Sequence, residues 1–522
     1  MRLFNLCALS SALFLAACGG GSGGGSNDGA DNGGSGNGGS GNGGGSSQVD
    51  QFSYVLGLDG SIASVSTQSH KGEVVVESTP FAFFPQKFNS SGETELAALF
   101  ALHQGQLVQL TPENNVPKVV SSLSNLNEDS FCDMEDQENG SNPRLFFSMA
   151  GDDQDCATSN DNPVFYVDAS MTADNSPVRV NNTALFTAIR AEAILSSAYQ
   201  TAGYLVREQT SEGNVLRYYN NLFSQFVTVD AGAGYNPETE TFSVTDFFNT
   251  NRTIIRLGDE YYDASVTNLS DGQPGLKFLT ASDPKEVKTT SDRAYLALGS
   301  DYYRHNIGRS DVKEFSTLNL AGSVGIAILE NASIIASDDN VNNRIQRFLQ
   351  VDERGDSVTF QLLTQADYDR TGTSSSSFGM SSTGRGALVE ISLRYDSTDD
   401  EEYALYIASN NTITRFDDAE WLNTSLNSSS PFFNRPLYSQ LKNDGLTVAE
   451  VNENNLATPL IYGSLPAGVE SVRAESFPVD GQLIITTRSS QADLNGLVYQ
   501  IKPGEAGSLR QIDGLKGFSV GI

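Results

Sequence analysis

Residues 333–348 read Ser-Ile-Ile-Ala-Ser-Asp-Asp-Asn-Val-Asn-Asn-Arg-Ile-Gln-Arg-Phe, two short apolar runs around a polar centre. Ile334, Ile335 and Ala336 suit an extended strand. Asp338, Asn340 and Asn342 belong to a turn, because short polar side chains bond the nearby backbone. Ile345 and Phe348 begin a second strand, so the stretch is a hairpin. The figure recurs. Leu99–Leu102 turns at Gln104-Gly105 into Leu107–Leu110, Tyr403–Ile407 turns at Asn410-Asn411 into Ile413–Phe416, and Leu483–Ile485 leads through a longer loop to Leu497–Ile501. Comparable pairs lie near 145–167, 204–219, 254–267, 295–318 and 326–348. Between 387 and 395, Val389, Ile391, Leu393 and Tyr395 share one face while Glu390, Ser392 and Arg394 share the other. That period of two marks a half-buried strand.

So many small hairpins exceed what one sandwich needs, whereas radial repetition of small sheets accommodates them. The expected fold is all-β: a β-propeller of seven or eight blades over residues 48–522, with two β-sandwich domains as the alternative. The stretch 333–348 resembles an NHL-type propeller repeat, in which a hydrophobic strand ends in Ala-Asp or similar and is followed by Asn-Asn-Arg-Ile-Gln and an aromatic. Residues 403–416 are similar but lack the Arg-Ile step. The resemblance implies the architecture and no activity. The ends of the body suit ring closure: Phe52–Leu56 and Ile62–Val65 flank an Asp59-Gly60 turn, and Gly517–Ile522 is a further short strand. Asp417–Leu422 reads as the start of a short helix with acidic residues in its first turn. Residues 184–199 fit helix or strand.

The N-terminus carries an address. Residues 1–17 hold Arg2, an apolar run and small residues at the end, too short to span a bilayer and typical of a cleavable signal. Leu15-Ala16-Ala17-Cys18 resembles the lipobox of bacterial lipoproteins. The resemblance implies acylation of Cys18, palmitate included, and cleavage after Ala17. Gly19 in place of aspartate favours the outer membrane by the same analogy. Residues 19–47 comprise 16 Gly, 6 Ser, 4 Asn, 2 Asp and 1 Ala. Such a segment cannot bury enough apolar surface to order itself. With Cys18 it forms the tether 18–47, whose 29 linker residues reach roughly 30 Å as a coil and about 100 Å at full stretch.

Lys+Arg number 32 against 64 Asp+Glu, a net charge of −32. Nucleic-acid binding needs basic surface, so nucleic acid is not an expected partner. An anionic leaflet would repel the body, which suits a long tether. Beyond Cys7 and Cys18, Cys132 and Cys156 are the other cysteines. In an exported, oxidising setting they are expected to form a disulfide, worth roughly 3 kcal/mol on the chain-entropy model. Around them cluster nine carboxylates, among them Asp152, Asp153 and Asp155. Oxygen-rich clusters suit calcium, which makes this loop one candidate calcium site. Asp338, Asn340 and Asn342 have the spacing of a calcium-loop opening and make another, although Asn343 and Leu349 stand where glycine and a bidentate glutamate are needed. No other cofactor is expected.

His70, His103 and His305 show no metal-ligand spacing, and no Gly-x-Ser-x-Gly or His-Glu-x-x-His occurs. The doublets Tyr218-Tyr219, Tyr261-Tyr262 and Tyr302-Tyr303 should each turn one ring inward, while the single Trp421 argues against a sugar-stacking surface. The functional expectation is a lipid-anchored, non-catalytic binding or scaffolding module with a protein partner in the cell envelope or at its surface. The alternative is a calcium-dependent hydrolase or lactonase working in the central funnel.

Overall fold

The computed structural model describes residues 50–520 except 80–81, 84–85, 89–93, 123–130, 139–143, 151–163, 169–170, 172–176, 180–187, 196–200, 222–223, 248–249, 319, 321, 330–331, 339–344, 353–356, 361–374, 384–385, 397–398, 409–411, 423–434, 443–444, 453–454 and 475–478. Among these residues the chain is all-β and forms ten four-stranded antiparallel sheets, with a two-stranded ribbon of Gln86–Phe88 and Thr94–Leu96. Sheet 1 holds Phe52–Gly57, Ile62–Ser66 and Gly72–Val76, joined by Phe518–Val520 from the far end of the chain. Sheets 2 to 10 are each built from consecutive strands in a meander, interrupted only by the ribbon inside sheet 2.

Sheet 2 runs Ala82–Phe83, Leu99–His103, Gln106–Thr111, Asn114–Ser122, and sheet 3 runs Phe131–Glu138, Arg144–Met149, Val164–Asp168, Val178–Arg179. Sheet 4 is Ala188–Leu195, Thr201–Thr210, Gly213–Asn220, Phe226–Thr228; sheet 5 is Phe242–Asp246, Arg252–Leu257, Glu260–Ser265, Leu276–Thr280. Sheet 6 is Pro284–Thr289, Arg293–Leu298, Asp301–Asn306, Val312–Phe315; sheet 7 is Val324–Ile328, Ala332–Asp338, Ile345–Asp352, Ser357–Phe360. Sheet 8 is Ser375–Thr383, Gly386–Asp396, Asp399–Ala408, Ile413–Asp417; sheet 9 is Ala419–Trp421, Leu437–Lys442, Gly445–Glu450, Leu460–Ser464. Sheet 10 is Ser471–Ala474, Leu483–Arg488, Val498–Ile501, Arg510–Gln511. The hairpins expected from sequence fall within these sheets, including the one opened by Ser333. Ten sheets stand where seven or eight blades were expected.

Local chemistry sets the turns. Gln104 and Gly105 both adopt positive φ, 52° and 70°, as a two-residue hairpin of the type that matches strand twist requires. Asp418, at φ 52°, makes the corner from sheet 8 into sheet 9. The helix expected over 417–422 is therefore absent, replaced by the ends of two strands around that corner. Burial explains the outcome. The Trp421 indole is 3% exposed, its Nε1 donates to the Val389 carbonyl at 3.2 Å, and its ring meets Phe416 and Tyr438 edge-on. The segment 188–195, ambiguous in sequence, is a strand.

Packing departs from half-buried strands. In the second strand of sheet 8, Ala387, Val389 and Ile391 pack on sheet 7, while Leu388 packs on sheet 9. Tyr54 packs on sheet 2 and Val55 on sheet 10. Tyr261 faces sheet 6 and Tyr262 sheet 4. Successive side chains of a strand point to opposite faces, so each central strand feeds two interfaces. This corrects the tyrosine expectation: both rings of 218–219 and of 261–262 are buried. Each fully buried large side chain contributes about 1.5–3 kcal/mol before entropy is counted.

Apolar clusters join sheet 1 to 2, 2 to 3, and every successive pair from 4 to 10. Phe146 against Tyr204 at 5.9 Å joins sheet 3 to 4. A last cluster returns from sheet 10 to sheet 1 through Ile484 and Val498 against Val55, Ala63 and Val65. The first strands of sheets 4 to 8 contact one another in succession. In sheet 1 that first position belongs to Phe518–Val520, paired antiparallel with Val55–Gly57. Gly496 lies beneath this closing strand, and its carbonyl accepts from the Phe518 N–H.

Gly496 has φ +71°, and a Cβ there would meet the backbone of Gly517 and Phe518 at 2.6–2.8 Å. Gly299 has φ +57° with open space around it. Alanine at Gly299 should cost only the left-handed backbone penalty, about 1–2 kcal/mol. Gly496→Ala should cost clearly more in urea unfolding, because the closing strand must shift; equal costs would show that the strand is not held there.

Candidate functional site

The deepest charged group among the described residues lies between sheets 5 and 6. Asp263, on the third strand of sheet 5, has a fully buried side chain and accepts at Oδ1 from Arg252 Nε at 2.7 Å. Register places Ile254 opposite Asp263 and Ser265 opposite Arg252, so the two charged residues are diagonal neighbours on one face. His305, from the third strand of sheet 6, presents Nε2 to Asp263 Oδ2 at 3.0 Å, and the Gly308 N–H donates to the same oxygen at 2.6 Å. The imidazole is fully buried and stacks on Phe278 with centroids 3.8 Å apart and planes 12° off parallel.

Burial by itself would raise the Asp263 carboxyl. The hydrogen bonds from His305 and Gly308, together with the Arg252 guanidinium, outweigh it and hold the group below the ordinary carboxylate value. His305 Nδ1 has no partner among the described residues and is closed off from solvent. A general base must reach a substrate proton, and a fully buried ring cannot. The constellation is a clamp between two sheets.

A second device recurs. Tyr219 donates to Glu208 Oε2 at 2.5 Å while Arg217 donates to Oε1 at 2.8 Å. Tyr262 donates to Glu260 at 2.5 Å beside Lys277, and Tyr462 donates to Glu450 beside Arg435. Burial, then the adjacent carboxylate, pushes these hydroxyls upward. Each carboxylate is shared between a phenol and a cation, which satisfies polar groups inside or beside the packed faces.

An open cleft of about 370 Å³ lies among the described residues at the seam between sheets 10 and 1. Leu58 and Phe518 are its apolar lining, and Glu470, Thr486, Thr487, Arg488, Ser489, Ser490, Asn495 and Ser519 its polar lining. Glu470 Oε1 accepts from the Ser490 N–H at 3.0 Å and from its hydroxyl at 2.5 Å, and these bonds hold the carboxyl below its usual value. Arg473 is opposite Thr486, and Arg488 is opposite Ser471, so both guanidinium side chains leave the same face of sheet 10.

The residues singled out from sequence are placed as follows. Cys132 is on the first strand of sheet 3 and is disulfide-bonded. Cys18, Cys156, Asp152, Asp153, Asp155, Asn340 and Asn342 lie outside the described residues. Asp338 ends the second strand of sheet 7, with its backbone opposite Ile345. Among the described residues no group of three or more His, Cys, Asp or Glu is placed to hold a metal ion. His70 Nδ1 lies 2.6 Å from Gln500 Oε1, and His103 is at the Gln104-Gly105 turn. Sequence reasoning missed Arg252, Asp263, Arg473 and Arg488, because no local spacing links residues that meet only through strand register.

No family model and no curated protein matches the chain. Solved structures do match at long distance. One is a eukaryotic initiation factor, at 9% identity and TM-score 0.44, over 90% of this chain and 98% of that one. A prolyl endopeptidase matches at 10% and 0.36, over 85% of this chain and 55% of that one. Dipeptidyl peptidase 4 of Porphyromonas gingivalis matches at 7% and 0.37, over 60% and 52%. This chain thus spans about half the length of either peptidase, and likenesses this distant assign it no activity.

The clamp predicts an acid dependence. Because the folded Asp263 carboxyl is depressed, its contribution is complete above the unfolded value, about 3.9, and is lost as pH falls through the folded one. Unfolding free energies measured from pH 6 to 3 should fall less steeply for Asp263→Asn than for the wild type. Asp263→Ala, which leaves Arg252 and His305 without their acceptor, should cost about 3–5 kcal/mol at pH 7.

Proposed function

We propose that the chain is an outer-membrane lipoprotein, cut after Ala17 and acylated at Cys18, whose ten sheets are the blades of one closed propeller. The propeller acts as a non-catalytic binding module for a protein partner in the envelope or at the cell surface. The observation that carries this reading is where the tether meets the ring. Asp50 is fixed on sheet 1, accepting from Ser66 Oγ at 2.6 Å and from the Gln68 N–H at 3.2 Å. Two residues later begins the strand that pairs with the C-terminal strand. The 19–47 linker therefore joins the body at its closing sheet, and pull on the anchor is delivered to a sheet stitched from both chain ends. No helix among the described residues is long and apolar enough to cross a membrane; in this reading lipid does the anchoring, since multiple acyl chains suffice for stable attachment. Cys132 pairs with Cys156 in the same reading, and no cofactor is needed.

The test is Cys18→Ser in cells supplied with radiolabelled palmitate. The variant should lose the label, keep the signal segment and leave the outer-membrane fraction. Labelling as strong as the wild type would end the lipoprotein reading.

A further inference from the structure

The seam between sheets 10 and 1 holds an arrangement that the lipoprotein reading does not use. In a chain of net charge −32, Arg473 and Arg488 have no carboxylate partner among the described residues, although acidic residues outnumber basic ones two to one. Register sets them diagonally on one face, Arg473 opposite Thr486 and Arg488 opposite Ser471, and that face looks toward sheet 1, as Ile484 on the same strand does. Desolvation and the neighbouring Arg488 charge both act against the protonated Arg473. Glu470, the acid that lines the same cleft, accepts two bonds from Ser490.

We propose that this cleft binds a small monoanionic carboxylate carrying a short apolar chain. Arg488, which lines the cleft, would take the carboxylate, since a planar guanidinium matches its two oxygens, and Arg473, diagonal to it on the same face, would add positive charge. Leu58, 69% exposed, and Phe518 would cover the apolar part. The volume of about 370 Å³ is at the small end of ligand pockets, which run roughly 300–1,000 Å³. Glu470, which also lines the cleft, opposes an anion in proportion to its charge, so a carboxylate is disfavoured less than a doubly charged phosphate. This site is independent of the membrane anchor and stands or falls separately from it.

The experiment titrates the full chain carrying Cys18→Ser with hexanoate, hexanol and inorganic phosphate at matched ionic strength, reading heat by calorimetry and the melting temperature in parallel. Hexanoate should bind saturably and raise the melting temperature, while hexanol and phosphate should do neither. Arg488→Gln should weaken hexanoate about tenfold, the loss of one hydrogen bond to a charged group, and Arg473→Gln should weaken it less, the loss of a nearby charge. Because both side chains are exposed, the unliganded variants should melt as the parent does, and Glu470→Gln should admit phosphate. Unsaturable heat with hexanoate, equal response to phosphate in the parent, or unchanged affinity in the Arg473→Gln/Arg488→Gln double variant would each overturn the proposal.

Discussion

Each sheet in this protein is apolar on both faces, and that is the constraint from which the rest follows. A sheet with one greasy face can be satisfied by a single partner, as in a sandwich. A sheet with two needs a neighbour on each side, and so does each neighbour. Leu388 and Val389, or Tyr54 and Val55, are adjacent in the chain yet belong to different cores. An open stack would leave two faces exposed at its ends. Apolar side chains of sheet 10 pack on sheet 1, and Phe518–Val520 pairs with the sheet that opens with Phe52.

Polar groups are fitted into this scheme where faces meet. Asp263 would be costly alone at zero exposure, but it takes bonds from its own sheet through Arg252 and from the next through His305 and Gly308. The tyrosine–glutamate pairs at 219–208, 262–260 and 462–450 each lie within one sheet and set a phenol and a cation on a shared carboxylate. The Asp263 contacts fix sheets 5 and 6 side by side, because they require donors from particular strands of both.

The fold was legible in the sequence to the extent that hairpins are local. Apolar runs of four to six residues around Gln104-Gly105 or Asn410-Asn411 announce a pair of strands without help from the rest of the chain. Outer strands were harder to see. Ala82–Phe83 and Arg510–Gln511 are two residues long and acquire their state from the neighbour they pair with, so no local pattern announces them. Asp417–Leu422 misled because an acidic cap and a tryptophan satisfy helix rules, while the decisive fact, burial of Trp421 against Val389 and Tyr438, is tertiary. The same holds for the sites. A cysteine pair or a lipobox can be read along the chain, whereas Arg252, Asp263 and His305, or Arg473 and Arg488, are brought together by register alone.

The account rests on the two chain ends completing one sheet, and a cysteine pair tests this most directly. Leu56 and Ser519 are opposite partners in that sheet. The full chain carrying Cys18→Ser, Leu56→Cys and Ser519→Cys should form the new disulfide in the folded protein under mild oxidation, seen as a covalent link between the N- and C-terminal peptides after proteolysis. It should also melt at a higher temperature than its reduced form, since tying such distant residues restricts the unfolded chain. Free thiols at both positions in folded, oxidised protein, or a bond that forms only between molecules, would contradict the pairing of the two chain ends in one sheet.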